Sequence, residues 1–288
     1  MLELARTVGP FRTIEGPPYH LWTLADGRPW AEFYRVADGF LVRFPDFADF
    51  FVSSDGERVV CRALPETTDP DIEHLFLNQV RPLALGLSGS LVFHASAVEI
   101  DGAAVCFVGA SGRGKSTLAA SFGLAGHRVL SDDALIVDYG PSAPTVRPST
   151  PSLRLWPDSG GTLLGGQDVS VRNLSYTSKW RVAMGNKIKH CAEALPLRRA
   201  YFLGASDVDD VRIRPLGGAD AVCAWISHAF VIDVDDMSAM KRHFYSLSLF
   251  TTGLECCVLD YPRHYERLAG VRSVIIRHVH ERAVTHEA

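Results

Sequence analysis

Nine consecutive residues, Gly109, Ala110, Ser111, Gly112, Arg113, Gly114, Lys115, Ser116 and Thr117, carry the spacing Gly-x4-Gly-Lys-Ser. That spacing suits phosphate. The glycines let backbone N–H groups turn inward around phosphate oxygens, and a following helix presents its positive end to them. Lys115 supplies a cation for the β- and γ-phosphates, and the Ser116 hydroxyl can ligate Mg²⁺. An apolar run, Ala103–Val108, precedes the motif and "KSTLAASFGLAG" continues from it. These are the strand and helix that a P-loop requires, so ATP with Mg²⁺ is the expected ligand.

Two carboxylates follow closely. Asp132 and Asp133, in "HRVLSDDALIVDYG", come seventeen and eighteen residues after Lys115, room for one helix and one strand. The spacing predicts that they emerge on the strand next to the P-loop strand, at the carboxyl end where open α/β sheets bind ligands. One could orient Mg²⁺ while the other accepts the proton of a substrate hydroxyl. Adjacent strand residues face opposite ways, so both reach one site only if the backbone bends between them. The bland alternative is a solvated turn at a strand end.

His94 is placed by register. Asp101-Gly102 is a strong two-residue hairpin signal between "LVFHASAVEI" and "AAVCFVGA". Pairing Ile100 with Ala103 carries His94 opposite Gly109, at the mouth of the P-loop. There it either touches phosphate or a catalytic carboxylate, or closes a sheet edge.

The elements that must position these residues form two segments. Residues 1–88 read as a β-rich segment with Asp-Gly turns at 38–39 and 55–56, then a helix over 70–88 that Pro82 ends or kinks. Residues 89–288 read as an α/β domain: a mixed sheet around the P-loop helix. Helices are expected over 219–230 and 236–251, and a closing helix after Pro262. Residues 167–190 are polar and read as a mobile loop.

At 47% hydrophobic and 22% charged, the composition is that of a globular protein. The net charge of −4 and the lack of a basic stripe give no support to nucleic-acid binding. The longest apolar runs are far short of a membrane span, and the N-terminus lacks a signal-peptide pattern, so no membrane contact and a cytoplasmic location are expected. Six cysteines occur without a CxxC, and Cys256 and Cys257 would face opposite ways on a strand, so neither zinc nor a disulfide framework is expected.

His94, the P-loop, Gly126-His127-Arg128 and Asp132-Asp133 together resemble the kinase domain of HPr kinase/phosphorylase over about residues 91–138. The resemblance implies an HPr-kinase-like fold, Asp132 as general base towards an acceptor hydroxyl, and Asp133 supporting the metal. The chain departs from that family at Thr117, where Glu is usual, and lacks its glycine-rich C-terminal region. The first removes a carboxylate that would support magnesium; the second counts against a phosphorylase activity and against HPr as acceptor. The layout "DGFLVRFPDFADFFVSSDG", "LVFHASAV…GASGRGKSTLAASF", "LRLWPDS" is similar to the HPr-kinase-like proteins of lasso-peptide biosynthesis. That similarity implies phosphorylation of the C-terminal serine of a precursor peptide.

Further candidates lie downstream. Arg154 and Trp156 alternate on a strand and either line a groove or cap the strand with a buried Trp. Lys179, Arg181 and Lys187 either close over phosphates or stay solvated, with Lys179 favoured beside Trp180 in "TSKWR". Arg263 and His264, placed at the start of the last helix, would face a ligand anion. The expected activity is a Mg-ATP-dependent kinase on a peptide or protein serine, with the N-terminal segment recruiting the peptide and homo-oligomers open. A small-molecule kinase and a nucleotide-binding regulatory module are the alternatives.

Overall fold

Asp101 and Gly102 both have positive φ, 50° and 70°, at the tip of a hairpin joining β8 (Ala95–Ile100) to β9 (Ala103–Val108). Ile100 pairs with Ala103 and Ala95 with Val108, so the expected register is the observed one. The computed structural model describes residues 4–24, 26–140, 143–165 and 171–283. It is a mixed α/β structure that divides into two units, one holding the chain up to Ser90 together with Phe230–Ile232, the other Leu91–Ala229 and Asp233 onward.

In the first unit, strands β1 (Leu4–Val8), β2 (His20–Thr23), β3 (Pro29–Val36), β4 (Gly39–Phe44), β5 (Ala48–Ser53) and β6 (Val59–Ala63) form one sheet in the order β1-β6-β5-β4-β3-β2. The run β3 to β6 is an antiparallel meander, closed at one edge by a parallel β1. Gly39 has no room for a side chain, because a Cβ there would stand 2.1 Å from the Val52 carbonyl oxygen. Helix α1 (Asp69–Leu75) is capped by the Thr68 hydroxyl. Pro82 does not end it: a π-helical turn over Phe76–Val80 leads into α2 (Arg81–Leu87). Proline sits in the first turn of α2, where its missing N–H costs nothing.

The second unit is built around β9. All six of its residues are buried. Val105 and Phe107 face a core shared with α3 (Lys115–Leu124) and α7 (Leu268–Ala283). Ala104, Cys106 and Val108 face a second core shared with α5 (Gly218–Ile226) and α6 (Met237–Thr251). A strand covered on both faces must be apolar throughout, which is why "AAVCFV" does not alternate.

β8 lies on one side of β9, and β10 (Val129–Ser131) pairs outside β8. The acids therefore follow a strand one place beyond the P-loop strand's neighbour, not the neighbour itself. The hairpin has already claimed that edge of β9. On the other side β9 pairs in parallel with β16 (Leu195–Leu203), then β18 (Glu255–Asp260), edged by β17 (Arg212–Leu216). β7 (Leu91–Phe93), β11 (Leu135–Asp138) and β12 (Thr145–Arg147) extend the sheet from the start of β16.

"LVFHASAVEI" is thus two strands, not one. β7 pairs with β11 while β8 pairs with β9 and β10, and His94 is the residue at the break. A small antiparallel sheet of β13 (Ser152–Leu155), β15 (Thr177–Ala183) and β14 (Val171–Leu174) stands apart, with α4 (Pro157–Leu164) packed on it. A Cβ on Gly160 of α4 would be 2.4 Å from the Trp180 ring, so the helix sits flat on that indole. Much of the segment expected to be a mobile loop is this hairpin; residues 166–170 lie outside the described ones. The last helix begins at Leu268 after a 3-10 turn (Tyr265–Arg267), so Arg263 and His264 precede it instead of opening it.

Candidate functional site

The Gly109–Ser116 loop turns on two glycines with left-handed backbone, Gly112 (φ 78°) and Gly114 (φ 92°). Gly114 is doubly constrained, since a Cβ on it would meet the Tyr261 hydroxyl at 2.8 Å. Gly109 ends buried against Leu203 at the tip of β16, while Ala110, Ser111 and Arg113 are exposed on the outside of the turn. Lys115, 5% exposed, folds back over the loop and donates to the carbonyls of Gly109 (2.7 Å) and Ala110 (3.0 Å). Burial lowers its pKa to about 8. The ammonium is thereby presented at the N-terminus of α3 without a carboxylate bonded to it.

The two aspartates part company. Asp133 has φ 66°, a left-handed bend that turns both carboxylates towards Arg154, Asp132 to its backbone N–H and Asp133 to its guanidinium. Asp132 turns in behind Ser116. Its Oδ1 accepts from the Ser96 hydroxyl (2.6 Å) and the Ser116 hydroxyl (2.8 Å), and its Oδ2 from the Arg154 backbone N–H (2.7 Å). Burial, then the neighbouring Asp133 charge, raises its pKa against those three donors. Asp133 instead accepts from the Arg154 guanidinium at 3.0 Å. Burial works against its charge, but Arg154, then His94 and Lys179, hold it well below the usual carboxylate range.

His94 stands at the strand break with its N–H held by the His228 carbonyl (2.8 Å) and its Nδ1 3.0 Å from the Asp133 carbonyl oxygen. A carbonyl accepts, so Nδ1 carries the proton. Burial, then the Lys115 charge, lowers its pKa to about 4. His94 is therefore neutral at pH 7 and fixes the Asp133 backbone.

One cleft joins these groups. Gly112, Gly114, Lys115, Ser116 and Thr117 line one wall; His94, Asp133, Arg154, Trp156 and Lys179 line the other. Arg154 arrives on β13 and Lys179 on β15. The Lys179 ammonium lies over the Trp156 ring, 5.1 Å from its centre. Trp156 is 42% exposed and not a buried strand cap: it is the N-cap of α4, so its ring stands at the cleft mouth. Burial lowers the Lys179 pKa. Burial works against the Arg154 charge, but the charge and hydrogen bond of Asp133, with Tyr176 and Asp132, together raise its pKa. The Nε of Arg154 is buried without a hydrogen-bond partner among the described residues, in the same cleft as Lys115 and Ser116.

Thr117 closes the far end through a hydroxyl chain: its Oγ1 donates to Ser159 (3.3 Å), which lies 3.0 Å from the Tyr265 hydroxyl. Lys187 is exposed outside the cleft, and Arg181 does not line it. His127 and Arg128 hold the β8 end instead, His127 Nδ1 against the Glu99 carbonyl (3.1 Å) and Arg128 on the Glu99 carboxylate (2.6 Å).

Ser96 and His228 were not singled out by the sequence. A signal existed for Ser96, the one hydroxyl in an otherwise apolar alternation after His94. His228 has none, since the Lys115 charge that lowers its pKa after burial reaches it only through the fold.

Among the described residues no group of three His, Cys, Asp or Glu side chains is placed for a metal. Magnesium needs few protein ligands beside phosphate. The Ser116 Oγ to Asp132 Oδ1 separation of 2.8 Å is close to that of adjacent oxygens around an ion holding each at about 2.0–2.1 Å. That pair fits the ion. Asp133, engaged with Arg154, fits it less well.

Among the described residues no helix is long and apolar enough to cross a membrane. No family model and no curated protein matches the sequence. Among solved structures the chain is similar to the Hpr(Ser) kinase/phosphatase from Coxiella burnetii, at 13% identity and a TM-score of 0.35, over 68% of this chain and 99% of that one. At that TM-score no residue role or activity is carried over from it.

Proposed function

We propose that the chain is a Mg-ATP-dependent kinase that transfers the γ-phosphate to a serine hydroxyl of a peptide or protein. The carrying observation is the make-up of the cleft: a Gly-x4-Gly-Lys-Ser loop with its lysine, and opposite it a carboxylate paired with Arg154 and lined beside Lys179. Lys115 and the loop amides bind the triphosphate, and Arg154 and Lys179 face its outer oxygens. Ser116 and Asp132 would hold magnesium, which when bound neutralises charge on the phosphates. The 2.8 Å contact between Ser116 and Asp132 also speaks against a binding-only module, in which no carboxylate need approach the loop.

In this reading the aspartates exchange the roles first expected of them. Asp132 is aimed by three donors, which leave it a position for a metal, and sits beside Ser116. Asp133 lines the cleft, where it accepts the hydrogen bond of the acceptor hydroxyl and receives its proton as the bond to phosphorus forms. A low pKa suits that late transfer, since phosphoryl transfer rests on positioning and charge more than on basicity. His94 donates to the Asp133 carbonyl and holds that backbone in place.

Asp133→Asn should keep Mg-ATP binding and lose transfer by at least about a hundredfold. Asparagine tolerates a left-handed backbone, so the fold is kept. Asp132→Asn should instead weaken binding of Mg-ATP while leaving metal-free ATP unaffected. The reverse pattern in titration calorimetry and turnover would return the base to Asp132.

The exposed Trp156 leaves the cleft open on one side, as a chain end requires. With the sequence resemblance, this favours the C-terminal serine of a lasso-peptide precursor as acceptor. Incubation with γ-labelled ATP and peptides differing only in that serine tests it: label that persists on the alanine peptide defeats the assignment.

A further inference from the structure

The P-loop has a second flank, beyond β9 on the side of β16 and β18, and one arginine occupies it. Arg263 follows β18 after Tyr261 and Pro262. Its Cδ stands 4.0 Å from where a Cβ on Gly114 would be, beside the Tyr261 hydroxyl. The guanidinium packs over the Tyr261 ring, 5.6 Å from its centre, and its Nη2 donates to the Gly204 carbonyl (2.7 Å). Its Nε is buried with no partner, and it makes no ion pair among the described residues. The nearby carboxylate, Asp260, is already engaged by Arg214 (3.0 Å) and by the Ala205 N–H (2.7 Å).

A half-buried cation without a counter-charge among the described residues, tethered by a carbonyl beside a glycine-rich turn, is well placed to take an anion. Arg263 does not line the transfer cleft, whereas Gly114 lies between the two. We infer that Arg263 is a nucleotide-binding residue that grips the phosphate chain at its nucleoside end, on the flank of the P-loop away from Asp133. This rests on the nucleotide reading above. The triphosphate is then held by cations from both flanks: Arg154 and Lys179 at the transfer end, Arg263 at the other.

The test is equilibrium binding of Mg-ATP, Mg-ADP and Mg-triphosphate (inorganic) to the full chain and to Arg263→Gln, Arg263→Lys and Lys115→Ala, with thermal melts alongside. Arg263→Gln should weaken all three ligands by a similar factor of about tenfold. Arg263→Lys keeps the charge, can still reach Gly204, and should recover part of the loss; it stands as the test should the glutamine variant fold poorly. Losses within twofold for both variants overturn the inference. A loss for ATP but not ADP overturns the nucleoside-end placement, and a loss for nucleotides but not for inorganic triphosphate overturns the phosphate contact. A wild type that binds none of them, or a Lys115→Ala variant that binds as well as wild type, overturns the nucleotide reading and this inference with it. Normal wild-type binding with an unaffected Arg263→Gln overturns only the latter.

Discussion

Lys115 carries the clearest consequence at the scale of single residues. Burial holds its pKa near 8 when no anion is bound, and phosphate oxygens beside it favour the charged form. Nucleotide binding must therefore raise that pKa and take up a proton around pH 8. Affinity should fall as pH rises above about 8, and binding heats at that pH should vary with the ionisation enthalpy of the buffer. Heats that are the same in phosphate and Tris would refute it. The aspartates show how far neighbours can differ. Asp132 is raised by burial and Asp133 lowered by Arg154, although nothing in "SDD" distinguishes them. The contrast arises from one left-handed residue, which sends adjacent carboxylates into different surroundings.

At the scale of elements, the hairpin β8–β9 decides the geometry of the acids. Because β8 occupies the edge of β9, β10 must pair outside it, and Asp132 reaches Ser116 across Ser96, a fully buried residue of β8. Ser96 is a positioning residue: its hydroxyl lowers the Asp132 pKa and aims that carboxylate. Ser96→Ala should raise the Asp132 pKa further, so the acid limb of the pH–rate profile should move to higher pH while nucleotide affinity at neutral pH stays within a few-fold. An unmoved acid limb would show that Ser96 only fills space. Of these features the hairpin register was legible from Asp101-Gly102, because a turn with two left-handed residues is a local matter. The strand order was not, since it depends on which edges remain free once the hairpin has formed. Pro82 teaches the same lesson in reverse: a π turn before it absorbs the break that the local rule expects.

At the scale of the whole molecule, the proposed reading has a chain of net charge −4 bind a polyanion where Lys115, Arg154, Lys179 and Arg263 gather around one loop. Net charge bears on solubility and steering, whereas the affinity of a site depends on the local field. The first unit offers a different kind of surface. Its sheet ends in β1 and β2, and each edge strand exposes an apolar side chain, Val8 at 59% and Leu21 at 42%. An exposed sheet edge can add a peptide strand, which fits the recruiting role proposed for residues 1–88. Leu21→Lys should then raise the peptide KM several-fold with kcat unchanged. Equal KM values for variant and wild type, measured with the full precursor peptide, would remove β2 from that role.

What the sequence determined by itself was the chemistry available: a phosphate loop between a strand and a helix, a hairpin bringing His94 to its mouth, and two carboxylates close behind. Each depends on backbone preferences within a few residues, where glycine, lysine and aspartate act through local geometry. Only the tertiary structure decided which carboxylate meets Ser116 and which faces the cleft. It alone decided that Trp156 is exposed, and that Arg154, Lys179 and Arg263 converge on the loop. Those outcomes rest on strand order and on pairing between segments distant in sequence, and a side chain's charge and direction there depend on partners that no short stretch contains.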